Sequence, residues 1–158
     1  MITIDIAIHD QNWPDEQLLE KLATQIVQVT TLHLEMQDVV SELSLVLTDD
    51  AEICRLNTQW RHENKVTNVL AFSAFSIKAG ERPGPMLGDI ILAREILERE
   101  VREQEKSFNN HFTHLFIHGL LHLLGYDHSD DCNAEIMENL ERKIMDTLSL
   151  TDKRRDCR

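Results

Sequence analysis

His118 and His122 lie four residues apart in an apolar stretch that runs from Phe108 to Leu124 and meets Gly125. In a helix of 3.6 residues per turn, their two rings share a face, about 40° apart in projection. Gly125 tolerates the positive φ that stops a helix and reverses the chain, and the reversal can carry His128 towards the same point. Imidazoles buried among Leu115, Leu120, Leu121 and Leu124 need a partner for each ring nitrogen. A metal ion supplies one partner per ring. Three imidazoles round one ion, with a fourth position open, is the plan of a catalytic zinc site, and the spacing matches the three-ligand zincin pattern. The stretch therefore predicts a helix over 108–124, a turn at Gly125 and a metal site formed by His118, His122 and His128.

A lone histidine on an apolar helix is more often a hydrogen-bonded core residue, and a pair at this spacing can arise by chance. The third histidine after the glycine is what favours a metal. One departure narrows the chemistry. Metalloproteases carry glutamate, the general base, directly after the first histidine; here that position is Gly119. Asp127 is a replacement base, a partner for a ligand or plain turn chemistry. Cys132 would be a fourth ligand only in a closed, structural site. His114, one turn before His118, either supports the site or is packed or solvated. His111 reads as exposed, and Tyr126 reads as core packing.

The rest of the chain frames this helix. Ile2, Ile4, Ile6 and Ile8 alternate with smaller or polar residues, which predicts a half-buried strand. Pro14, Asp15 and Glu16 open a helix over about 14–32, with Leu18, Leu22, Ile26 and Val29 on its inner face. Leu43, Leu45 and Leu47 mark a second strand. Asp49 or Asp50 caps a short helix bearing Ile53, Leu56 and Trp60. Residues 61–67 are polar and irregular. Strands follow at 69–72 and 87–93, around a loop containing Gly80, Pro83, Gly84 and Pro85. A charged helix covers 93–106. Ser129 caps a last helix with Ile136, Leu140, Ile144 and Leu148 on one face. The order predicts an α+β fold: one domain over residues 1–158, a mixed four-stranded sheet and about five helices. The two last strands either pair as a hairpin or are joined by a crossover.

At 158 residues and 18.3 kDa the chain can bury a sizeable core. It has no apolar run near the roughly 18 residues of a membrane helix, and its first ten residues do not read as a signal peptide. Cys54, Cys132 and Cys157 are widely spaced and odd in number, which suits a reducing cytoplasm better than a disulfide framework. Net charge is −12, which argues against indiscriminate nucleic-acid binding. The acidity is concentrated: residues 1–50 hold ten acidic residues and one basic, whereas 51–126 are balanced. Arg55, Arg61, His62 and Lys65 form either a local basic patch or an ordinary solvated helix end.

HGLLHLLGYDH at 118–128 resembles the signature of the bacterial YbeY endoribonucleases, the ribosomal RNA maturation factors. LNTQWR (56–61), TNVLAFS (67–73) and LGDI (87–90) fit the same family in order, so the resemblance runs from about residue 43 to 148. Asn68 stands where many relatives carry aspartate. The resemblance implies a metal-dependent, single-strand-specific endoribonuclease acting in 3′-end maturation of small-subunit ribosomal RNA and in ribosome quality control. It implies zinc on His118, His122 and His128, and a functional arginine at Arg61 that binds substrate, with His118 and Arg61 the catalytic positions. It also implies the small ribosomal subunit, with a ribosomal protein or assembly GTPase, as partner, and neither DNA nor membrane. The acidic N-terminal third grips RNA poorly, which fits delivery by such a partner. Two other classes remain open on the residues alone: a metallopeptidase or other metallohydrolase, and a non-enzymatic ribosome-assembly module with a structural metal.

Overall fold

The computed structural model describes residues 1–61, 68–127 and 130–156, and of these it leaves the side chains of Arg61 and of 150–156 undescribed. The chain runs β1 (Ile2–Ile8), α1 (Glu16–His33), β2 (Ser41–Thr48), α2 (Asp50–Arg61), β3 (Val69–Ser73), β4 (Met86–Ala93), α3 (Arg94–Glu103), α4 (Phe108–Leu123) and α5 (Asp131–Asp156). The strands form one sheet in the order β1-β2-β4-β3. β1 and β2 are parallel, β2 and β4 are parallel, and β3 pairs antiparallel with β4. The last two strands are thus a hairpin, and the crossover alternative falls. The α+β expectation of a mixed four-stranded sheet with five helices holds.

Alternation of side chains separates the two faces of the sheet. Leu45 registers with Ile90, and Ile90 with Ala71; Leu43, Leu45, Leu47, Ile90 and Leu92 enter the main core with Leu19 and Ile26 of α1 and Phe112, Phe116 and Ile117 of α4. One residue along, Val46, Ile91 and Leu70 point the other way. There they meet Ile53 and Leu56 of α2 in a smaller cluster. α4 and α2 therefore lie on opposite faces of the sheet, and α1 and α5 pack beside α4.

Local chemistry sets the helix ends. Asp15, rather than Pro14, caps α1, its carboxylate accepting from the Gln17 amide at 3.0 Å. Proline has no amide to offer and stands just outside. Asp49 accepts from the Glu52 amide at 2.9 Å ahead of α2. Ser107 caps α4 through the Asn110 amide at 3.1 Å. Ser129 lies outside the described residues, and the capping contact at α5 is made by Asp130, which accepts from the Asn133 amide at 2.7 Å.

Two inner faces hold at Ile26 and Ile144 but turn by one residue at their starts, where Leu19 and Met137 are buried in place of Leu18 and Ile136. On α1 the buried stripe is Leu19, Ala23, Ile26, Val27 and Thr30, while Leu18 is 41% exposed. The Thr30 hydroxyl donates to the Ile26 carbonyl at 2.7 Å, which makes its burial inexpensive. On α5 Met137, Glu141 and Ile144 are buried, and Ile136 faces solvent. The missed anchor is Trp13, buried between the sheet and α4: its indole donates to the Thr48 carbonyl at 3.0 Å and its ring meets Phe108 edge-on. The polar segment expected at 61–67 lies, but for Arg61, outside the described residues.

Candidate metal centre

α4 is enclosed almost all round. After its first turn every residue from His111 to Leu123 is buried except three, His114, His118 and His122. These stand at i, i+4 and i+8 and form the helix's one open stripe. The neighbouring face shows why Gly119 is not the metalloprotease glutamate. A Cβ there would lie 3.2 Å from Ile90 Cγ2, so position 119 faces the sheet and has no room for a carboxylate.

His118 and His122 meet as the spacing predicts. Their rings are 4.6 Å apart between centroids, at 80° to one another, and the two Nε2 atoms are 3.1 Å apart. Behind His118, its Nδ1 lies 2.7 Å from Glu141 Oε1, and the other oxygen, Oε2, lies 3.3 Å from His114 Nε2. Burial pushes the Glu141 carboxyl up, but the hydrogen bonds from His114 and His118 outweigh it and hold the group at about 2. An ionised carboxylate only accepts, so His118 carries its proton on Nδ1 and His114 carries one on Nε2. A neutral His118 then presents the Nε2 lone pair towards His122. Two such lone pairs at this distance need a proton or a cation between them. In a tetrahedral site with metal–nitrogen bonds of roughly 2.05 Å, ligand nitrogens lie about 3.3 Å apart. The observed 3.1 Å is close to that edge, and a carboxylate behind a ligand histidine is the usual support of such a site. The pair therefore fits a small divalent cation.

The remaining candidates divide. His128 lies outside the described residues, and so does the side chain of Arg61, whose backbone ends α2. From Arg61 the chain leads through 62–67 into β3, the edge strand against which α4 packs. Among the described residues no third histidine, cysteine or acid joins His118 and His122. Cys132 is thus not grouped with them; it is a free, exposed thiol near the start of α5. Gly125 has φ +98° and ends α4 as the sequence predicts. Its missing side chain matters twice, because a Cβ would lie 2.5 Å from the Lys78 carbonyl carbon and 2.6 Å from the Ala79 nitrogen. Tyr126 packs on the core, and burial pushes its hydroxyl up from 10.0. Asp127 is exposed.

His111 is corrected: it is buried, and its Nε2 lies 3.0 Å from Glu100 Oε1. The Asn68 amide donates to both oxygens of the same carboxylate, at 3.1 and 3.3 Å. An aspartate at 68 could not donate, so the asparagine of this chain is matched to Glu100. Sequence reasoning missed Glu141 altogether. Its only signal was an acid in phase with Met137 and Ile144 on the buried side of α5.

The family model described as Endoribonuclease YbeY matches residues 4–149. A protein of Bartonella henselae named Endoribonuclease YbeY is 49% identical over 152 residues, covering 96% of each chain. One of the same name from Sinorhizobium fredii is 50% identical over 157 residues, covering 96% of this chain and 91% of that one. Among solved structures, the solution structure of TM1509 from Thermotoga maritima superposes with a TM-score of 0.63 at 29% identity, covering 92% of this chain and 87% of that one.

Proposed function

The chain belongs to the Endoribonuclease YbeY family, and we propose that it is a metal-dependent endoribonuclease that cuts single-stranded RNA, with 3′-end maturation of small-subunit ribosomal RNA as its task. The observation that carries the metal part is the Nε2 pair of His118 and His122, with Glu141 fixing the proton of His118 on the far nitrogen. His118, His122 and His128 would hold the ion, zinc being the metal such a donor set suits. When bound, the ion supplies Lewis-acid polarisation of a phosphoryl oxygen and charge to offset that gained in phosphodiester cleavage.

The chain's own residues supply the rest. Glu141 keeps the His118 ring oriented and, in the neutral ring, places the proton on Nδ1. Arg61 offers a planar, permanently charged fork that matches a phosphate. Burial of every other face of α4 keeps the histidine stripe in register while substrate comes and goes. Neither competing class gains support. The tight Gly119–Ile90 contact leaves no place for a peptidase base, and the exposed Cys132 does not close a structural site.

Ribosome quality control, a cytoplasmic setting, and delivery by a ribosomal protein or assembly GTPase belong to the same proposal. They draw on the acidic residues 1–50, which favour a protein-assisted approach to RNA over direct capture. Among the described residues no helix is long and apolar enough to cross a membrane. The test is metal analysis paired with cleavage of single-stranded RNA, on the wild type and on His122→Ala and His128→Ala. Loss of metal and cleavage together is expected. Full cleavage by a demonstrably metal-free variant overturns the reading.

A further inference from the structure

A largely polar cleft of about 470 Å³ opens at the C-terminal end of α4. One wall is the strap from Lys78 to Ala79 in the β3–β4 loop. Tyr126 and Asp127, which follow α4 directly, line it too, with Asn133 and Ile136 on the first turns of α5. Two of the elements that line the cleft also carry the centre. Its 125–127 wall leaves the helix three residues after His122, and α5 carries Glu141 two turns beyond Asn133.

The walls are built. The strap is pressed against Gly125 so closely that any side chain there would strike the backbone at 77–79. A turn fixes it from within: the Lys78 amide donates to Glu81 Oε1 at 2.8 Å, and the Glu81 amide donates to the Lys78 carbonyl at 3.0 Å. On the rest of the lining, the Tyr126 amide donates to the Leu121 carbonyl at 3.0 Å, and the Asn133 amide group donates to Asp130 Oδ2 at 3.2 Å.

Its chemistry is divided by sign. Lys78 sits on the strap, with no carboxylate partner among the described residues. Asp127 lies on the part of the lining that Tyr126 and the first turns of α5 contribute. A phosphate is attracted to the first and repelled by the second. A carboxylate accepts hydrogen bonds from the exocyclic amines of adenine, cytosine and guanine, whereas uracil has no such amine and offers only its ring N3–H. The exposed Ile136 adds an apolar face for a flat ring. On the reading of the protein as a single-strand endoribonuclease, we infer that this cleft takes the nucleotide next to the scissile phosphate, its base towards Asp127 and its phosphate towards Lys78. The site thereby sets a preference for an amine-bearing base over uracil at that position.

The test uses the full chain, metal-loaded for cleavage, with short 5′-labelled single-stranded oligoribonucleotides. In these, one position at a time near the cleavage site is made uracil or abasic. One flanking position is expected to raise KM about tenfold when its base is removed, the loss of one good polar contact, with kcat little changed. Ile136→Trp, which fills the cleft from an exposed position, should erase that penalty. Lys78→Ala should lower the salt dependence of binding by the share of one phosphate, a slope change of about 0.7 on a log–log plot. Binding of the same oligonucleotides, read by fluorescence anisotropy, separates the two proposals. If the wild type neither binds nor cleaves RNA, the parent reading fails and the cleft assignment with it. If it cleaves, but the base scan is flat or Ile136→Trp leaves it unchanged, the cleft assignment alone is overturned.

Discussion

Glu141 braces His118 from behind: its Oε1 lies 2.7 Å from Nδ1 of a ring whose Nε2 faces His122. The contact spans 23 residues of sequence and joins α5 to α4. Replacing the carboxylate by an amide keeps the shape and removes the charge. Glu141→Gln should weaken zinc binding about ten- to a hundredfold, the usual cost of losing a partner behind a ligand histidine. Competition with a chromogenic chelator measures it, with circular dichroism as the control for folding. An unchanged affinity would remove Glu141 from the site.

Arg61 and His122 should fail in different ways. Arg61→Ala is expected to cut the cleavage rate about a hundredfold or more while metal content stays at the wild-type level, as when one charge-stabilising donor is deleted. His122→Ala should lose both. Metal analysis on the purified variants separates the cases, and metal loss from Arg61→Ala would contradict its assignment to phosphate.

Position 119 should reject the metalloprotease glutamate. In Gly119→Ala, a better helix former meets a Cβ contact of 3.2 Å to Ile90, so gain and overpacking should offset to within about 1 kcal/mol. Gly119→Glu drives a charge into the sheet and should cost about 3 kcal/mol or more. Urea unfolding gives both numbers. A stable Gly119→Glu protein would show that α4 can lift off the sheet.

Asp10 and Arg94 provide the pH dependence. Arg94 Nε lies 2.7 Å from Asp10 Oδ2, with both side chains largely shielded. The Arg94 guanidinium holds the Asp10 carboxyl below its ordinary 3.8. A depressed folded value means the stabilisation is complete above the unfolded value and fades as pH falls through the folded one. Asp10→Asn should therefore cost about 1–2 kcal/mol at pH 7. The gap to wild type should shrink only below about pH 4. Chemical denaturation across that range checks it, and a gap that closes already at pH 6 would implicate a histidine instead.

What the sequence disclosed follows from range. Strands of alternating isoleucine or leucine, the helix over 108–124 and its stop at Gly125 were legible because their signals are local and periodic. The hairpin of β3 and β4 was not, since a twelve-residue loop is compatible with more than one path. On the inner faces of α1 and α5 the expected Ile26 and Ile144 are buried, whereas Leu18 and Ile136 face solvent beside the buried Leu19 and Met137. Both helices offer two apolar stripes, and only packing against α4 chooses between them. Glu141 went unseen for the same reason: a glutamate in a charged helix looks like solvent surface until the helix is docked. His111 was taken for a surface residue because its partner Glu100 belongs to a different helix.

The three half-open histidines are the only positions past the first turn of α4 that are not buried. Chemistry and scaffolding are thereby assigned to different residues of one helix. An engineer seeking another ion, or no ion, can recast His122 by itself, whereas changing His114 or His118 calls for recasting Glu141 as well, the buried carboxylate those two rings hold. On the proposed function, drift at His122 is expected to silence the protein before it unfolds it, giving a variant that is abundant, well folded and inert.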